Sequence, residues 1–142
     1  MATFTKINDF VEAVAEKKHN LGSDTLTVAL SNTAPASETS NPTADGNGVL
    51  ANVTQISYTK CSARAITTSS SSQTSGTYSL VLTDLTLTAS GGTVGPFRYA
   101  YIYNDTATND ELIGIYDYGS SITLADGETF LLDFAATTIT LA

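Results

Sequence analysis

The side chains that could support covalent or metal chemistry are few. One histidine, His19, and one cysteine, Cys61, stand far apart in the sequence. They cannot supply the ligand set of a usual zinc site, and no imidazole base shares an element with the thiol. Cys61 therefore reads as a small core hydrophobe with no intrachain disulfide partner. Neither a Gly-x-Ser-x-Gly elbow nor a His-Glu-x-x-His helix is encoded. Paired carboxylates could work as acid and base, but Asp117, Asp126, Glu128 and Asp133 fall in or beside turn and edge positions, where a solvated role is normal. The Asp45-Gly46-Asn47-Gly48 run opens like a calcium loop but lacks the distal acidic ligands, so it reads as a turn. The glycine-rich residues 90–96 lead into a strand without the helix and lysine of a phosphate cradle. The expectation is a protein that is not an enzyme and holds no cofactor and no metal.

Binding is the remaining chemistry, and the aromatic residues are its main candidates. Phe97, Tyr99, Tyr101 and Tyr103 alternate along one strand and project from one face. The stripe reads as sheet core with hydroxyls reaching the surface; the other reading is an exposed binding face. Phe10 and Val14 on a helix, and Pro35 and Pro42 in a long loop, complete the candidate protein-interface set with Tyr99, Tyr101 and Tyr103. The net charge of −8, with six Lys and Arg, leaves no basic stripe for a phosphate backbone, so no nucleic-acid partner is expected. No 18-residue apolar run and no apolar signal core after Met1 are present, which points to a chain made in the cytosol that stays soluble, with no membrane contact.

The elements that would position these groups are mostly strands. Across 142 residues, 42% are hydrophobic and 14% charged, and Ser, Thr and Asn carry the polarity. Hydroxyl, β-branched and aromatic side chains suit a pleated surface better than a helix. The length fits a single domain, residues 1–142. Spacings of three and four among Ile7, Phe10, Val11 and Val14 predict one amphipathic helix within residues 5–20, with Thr5, Asn8 or Asp9 as N-cap and Lys17, Lys18 and His19 near its end. Its stripe is expected to lie on the chain's own sheet, with Phe4 as a staple.

Residues 24–142 then form a β domain containing a long loop, residues 31–48, that is either a binding loop or mobile until a partner orders it. Strands are expected over residues 25–30, 49–58, 63–68, 78–82, 85–89, 97–103, 112–116, 122–124 and 129–134, with a possible last one at 137–141. The serine-rich residues 67–77 read as a linker or hairpin tip, and Asp126-Gly127 as a hairpin turn. Short strands at this spacing predict a mainly β, antiparallel sandwich or jelly-roll-like fold with one N-terminal α-helix.

Several stretches resemble a group of small tailed-bacteriophage virion proteins encoded among head genes. They are His19-Asn20-Leu21-Gly22-Ser23-Asp24-Thr25, Ala29-Leu30-Ser31-Asn32-Thr33-Ala34-Pro35, Gly95-Pro96-Phe97-Arg98-Tyr99, Tyr103-Asn104-Asp105-Thr106, Leu112-Ile113-Gly114, Tyr116-Asp117-Tyr118-Gly119-Ser120-Ser121 and Leu124-Ala125-Asp126-Gly127-Glu128-Thr129-Phe130. The similarity is weakest over residues 36–77. It implies a virion structural protein of the capsid decoration or cement type, on the outer surface of the capsid, with the major capsid protein as partner. A homodimer or homotrimer is the expected assembly, because symmetric oligomers multiply weak contacts. The alternative is a tail or fibre module that stacks Tyr99, Tyr101 and Tyr103, beside Asn104 and Asp105, on a host glycan or receptor.

Overall fold

The computed structural model describes residues 2–38, 40–135 and 138–142. Among them are ten strands and one short α-helix: β1 (Thr3–Lys6), α1 (Phe10–Ala15), β2 (Leu26–Ser31), β3 (Ala65–Ile66), β4 (Thr68–Thr74), β5 (Thr77–Leu82), β6 (Leu85–Thr88), β7 (Val94–Asn104), β8 (Leu112–Leu124), β9 (Thr129–Leu132) and β10 (Ile139–Leu141). Every pairing is antiparallel. The fold is thus mainly β with one helix, as composition and periodicity predict. Its strands sort into a five-stranded sheet, β1-β8-β7-β2-β3, a three-stranded sheet, β10-β5-β4, and the ribbon β6-β9.

The five-stranded sheet holds the centre of the core. All six residues of β2 are buried, as are Tyr99, Ala100, Tyr101, Ile102, Tyr103 and Asn104 of β7. Consecutive buried residues mean that both faces of these strands are covered. On one side an aromatic chain runs from Phe4 to Tyr116 (5.3 Å between ring centroids), on to Tyr118 (6.4 Å), then to Phe130 (5.0 Å) and Phe97 (5.3 Å), so it ties the ribbon β6-β9 to the large sheet. Tilted and edge-on rings of this kind add a favourable quadrupole term to their burial.

The start of the chain departs from expectation. Thr3–Lys6 is a strand, not a helix start, because it pairs with β8 from Asp117 to Gly114. Phe4 does not staple the helix; it lies on Tyr116 and over Gly114, where a Cβ would run into its ring. The helix is only six residues, with Asp9 as N-cap and Glu16 as C-cap. Lys17 takes a left-handed φ of 65°, and the bonds Lys18 N–H to Ala13 O (2.9 Å) and Lys17 N–H to Val14 O (3.2 Å) close a Schellman end. This stops the helix well before His19. Its buried residues are Phe10 and Ala13, with Ile7 buried just ahead of it, while Val11 is 50% exposed. Phe10 sits on the chain's own core, where the narrow stripe was expected to go.

Four further expectations change. Residues 49–58 hold a 3-10 turn, Leu50–Asn52, and isolated bridges from Val49 to Glu111 and from Gln55 to Ser31, not a strand. The serine-rich run is a strand, β4, whose hairpin with β5 turns at Ser75-Gly76, both with positive φ. Strand β8 runs on through residues 117–121, absorbing the extra length as a bulge between the pairs Tyr99 with Asp117 and Phe97 with Ile122. Asp126-Gly127 does turn the chain, with Gly127 at φ 86°, but β9 pairs with β6 and not back on β8. The bonds Gly127 N–H to Ala89 O (2.8 Å) and Ala89 N–H to Glu128 O (3.0 Å) capture the turn from the β6 side. The final strand is Ile139–Leu141, on β5; Thr137, the predicted start, lies outside the described residues. Among the described residues no helix is long and apolar enough to cross a membrane.

Candidate interaction site

The tyrosine strand is interior. Tyr99 is 6% exposed, Tyr101 0% and Tyr103 5%. Strand β7 lies between β2 and β8, and two central neighbours leave it no open edge. Burial pushes the Tyr101 hydroxyl far above the usual phenol range, and the nearby Glu38 carboxylate and Tyr99 add to the shift. Its hydroxyl is buried without a hydrogen-bond partner among the described residues. The sheet-core reading of the stripe holds for the rings, but the Tyr101 hydroxyl does not reach the surface as expected, and these three rings form no exposed face. Arg98, next in the strand, points outward and forms a two-pronged pair with Asp117 (2.7 and 2.9 Å), which holds that carboxyl below its ordinary value.

The long irregular segment between β2 and β3, residues 32–64, is stitched to the body. Strand β3 covers only Leu26 and Thr27 of β2. Beyond it, Val28 N–H bonds Arg64 O (3.0 Å), Ile56 N–H bonds Leu30 O (3.0 Å), and the Tyr58 hydroxyl accepts from Leu30 N–H (2.8 Å). The segment thereby closes an edge that would otherwise be a template for another strand. The Arg64 guanidinium lies 3.6 Å from the Tyr58 ring centroid and bonds the Val28 carbonyl. Glu38 receives Thr54 N–H (3.0 Å) and Thr54 Oγ1 (2.6 Å), and Asp9 receives Gly46 N–H (2.6 Å). Asp9 thus spends its carboxylate on this segment rather than on the helix it precedes. Of the interface candidates here, Pro42 is buried and Pro35, which opens the 3-10 turn Pro35–Ser37, is half-buried. On the helix, Phe10 is fully buried and Val14 half-buried. Outward apolar surface falls instead on Val11 and on Leu131, 55% exposed.

A polar hub joins two segments 80 residues apart. Asn104, with no exposure, donates through Nδ2 to Asp24 Oδ2 (2.6 Å) and His19 Nδ1 (3.0 Å), and accepts Thr106 N–H (3.0 Å) and Ala107 N–H (3.1 Å) on Oδ1. The two accepted backbone bonds fix which end of the amide faces His19. His19 must then present a bare Nδ1 and carry its proton on Nε2, a buried nitrogen with no partner among the described residues. Burial lowers the His19 pKa, against the pull of Glu111 and Asp24 and with a small push from Lys18. Asp24 also accepts Asn20 N–H (2.7 Å), and Thr25 and Thr106 join through Thr25 N–H to Thr106 Oγ1 (2.9 Å). The sequence marks none of this as a unit: Asn104 enters there beside the tyrosine stripe, not as a partner of His19 and Asp24.

Remaining carboxylates serve turns. Asp126 accepts Gly91 N–H (2.7 Å) and Glu128 accepts Ala125 N–H (2.7 Å). Asp117 and Asp133 line a surface groove of about 450 Å³ with Ala2, Tyr116, Tyr118 and Leu131. Cys61 is half-buried, its thiol pushed up by burial, and bridges to Ala89. Among the described residues no group of three or more His, Cys, Asp or Glu side chains is placed to hold a metal ion. What the arrangement offers is a braced body presenting backbone turns and a few apolar side chains to another surface. Compared with protein-family models, with curated proteins and with solved structures, the chain matches none.

Proposed function

We propose that this chain is a non-enzymatic structural protein of a tailed-phage particle, a decoration or cement protein that binds the major capsid protein on the outer face of the head. The observation that carries the reading is the way the long segment 32–64 is bonded along β2 while its 3-10 turn, Pro35–Ser37, stays at the surface. A rigid body with pre-ordered contact loops loses little conformational entropy on docking. The resemblance to phage head-gene products, carried by segments such as residues 19–25 and 103–106, supports the same placement; in the fold those two segments meet at Asn104. Contact elements on this reading are Pro35–Ser37 and the outward side of α1 at Val11, with Val14 beside it, rather than Phe10.

The alternative, a tail or fibre module that holds a glycan, no longer has Tyr99, Tyr101 and Tyr103 at its disposal. It would have to use the groove of Tyr118, Leu131, Asp117 and Asp133. Imaging of intact particles with labelled protein decides between the two. Copies spread over the head lattice are expected; copies confined to the tail would overturn the cement reading.

A further inference from the structure

We propose that a second copy of this chain adds to the outer edge of β4, joining two three-stranded sheets about a twofold axis into one six-stranded sheet. This self-pairing is the same whether the protein sits on a head or a tail.

Strand β4 is the outermost strand of the sheet β10-β5-β4, and its seven residues, Thr-Ser-Ser-Ser-Ser-Gln-Thr, are exposed apart from half-buried Thr68. Open edges are ordinarily guarded by lysine, proline, extreme shortness or a covering loop. Most other edges here follow that rule, and the ribbon strands β6 and β9, which have neither lysine nor proline, are only four residues each. β1 is four residues with Lys6, β3 is two residues, β10 is three, and the flank of β2 beyond β3 is closed by residues 32–64. Edge β4 has neither lysine nor proline, and its one bulge lies at its start, between Thr68 and Ser70.

Charge points to a second copy as the occupant. The chain carries −8, so most of its surface repels another copy. Residues 65–83 and 134–142, which contain all of β4, β5 and β10, hold no Asp, Glu, Lys or Arg. This neutral sheet is the surface on which two copies approach at the lowest electrostatic cost. An apolar groove lined by Val14, Leu21, Tyr78 and Leu141 borders it, with Ser71 of β4 on its rim.

The register follows from the hairpin. A two-residue turn at Ser75-Gly76 makes Thr74 and Thr77 a hydrogen-bonded pair, so alternate residues Ser72 and Ser70 turn their backbone groups to β5, and Ser71 and Gln73 turn theirs outward. An antiparallel twofold pairing centred on Ser71 places Ser71 opposite its own copy and Ser70 opposite Ser72. A β4–β10 contact between copies would engage only three residues of β10 and, being head-to-tail, would give a ring or a filament rather than a twofold dimer.

The test is sedimentation of the free protein over a range of concentrations, with two variants. The wild type is expected to reach twice the 14.8 kDa chain mass. The double variant Ser70→Lys with Ser72→Lys sets lysines opposite lysines and should raise the dissociation constant by about tenfold or more. Because it also lowers the net charge toward neutrality, a general charge effect would strengthen association, so weakening reports the edge itself. In a Cys61→Ser background, Ser71→Cys should give a disulfide-linked dimer under mild oxidation, and this variant leaves the sheet pairing intact. A monomer at every concentration, a dimer indifferent to the paired lysines, or open-ended polymers in place of a closed dimer would each overturn the proposal.

Discussion

Truncating Phe10 to alanine separates a helix that holds the body together from one that reaches for a neighbour. The ring is fully buried within its own chain and packs 5.2 Å from the His19 ring. A helix of six residues has almost no stability of its own, so α1 depends on this burial. Returning a Phe side chain to water costs about 1.5–3 kcal/mol, and the cavity left behind raises the total to roughly 3–5 kcal/mol. For 142 residues the entropy of unfolding is about 0.3 kcal/mol/K, so Tm should fall by about 10–17 °C. The assay is thermal melting of dilute free Phe10→Ala followed by circular dichroism, repeated at high concentration. An undiminished Tm in dilute solution, with any loss confined to assembly, would refute the intrachain role and make α1 an assembly arm. Val11→Ala, at a half-exposed position on the other side of the helix, is the matched control and should leave Tm within a degree or so.

Other perturbations follow from single contacts. Lys17→Gly relieves a left-handed residue at the helix end and should stabilise by about 0.5–1 kcal/mol in urea unfolding. Gly114→Ala pushes a methyl into the Phe4 ring and should cost about 1–3 kcal/mol, a loss that Phe4→Leu partly restores. His19 has a folded-state pKa below its unfolded value, so its contribution is complete above about pH 6.5 and is lost as pH falls from there toward the folded value. Urea stability should drop as pH falls below about 6.5, and His19→Gln should flatten that slope. Arg98→Ala should let the Asp117 carboxyl return upward toward 3.8, read by a nuclear magnetic resonance titration, with little change in the melt.

Period-two patterning carried most of the strands because each has one or both faces in the core: β2, β5, β6 and β7 fall where the alternation places them. Two of the failures share a cause, which is pairing with distant chain. Thr3–Lys6 has too few residues to show a period, and only β8, more than a hundred residues away, makes it a strand. Likewise β9 is drawn to β6 by bonds to Ala89 that no local turn signal encodes. The helix ends early because Lys17 adopts a conformation that sequence assigns to glycine or asparagine.

The interaction surface was harder to read than the fold, and the tyrosines show why. Alternation tells which residues share a face, but not whether another layer covers that face. Tyr99, Tyr101 and Tyr103 share the pattern of an exposed stripe and of a buried one; what buries them is the central place of β7 between β2 and β8. The opposite error applies to the serine run. Low complexity suggests a linker or a hairpin tip; the tip does fall within the run, at Ser75-Gly76, yet Ser70 to Ser72 lie in a ladder with β5, because Ser and Thr tolerate extended backbone and the apolar residues of β5 supply the packing. A strand held from one side by its partner's core residues leaves its other side free. On the proposed reading, such a free backbone edge and the braced turn at Pro35–Ser37 are where recognition would occur, through main-chain geometry that residue types alone do not reveal.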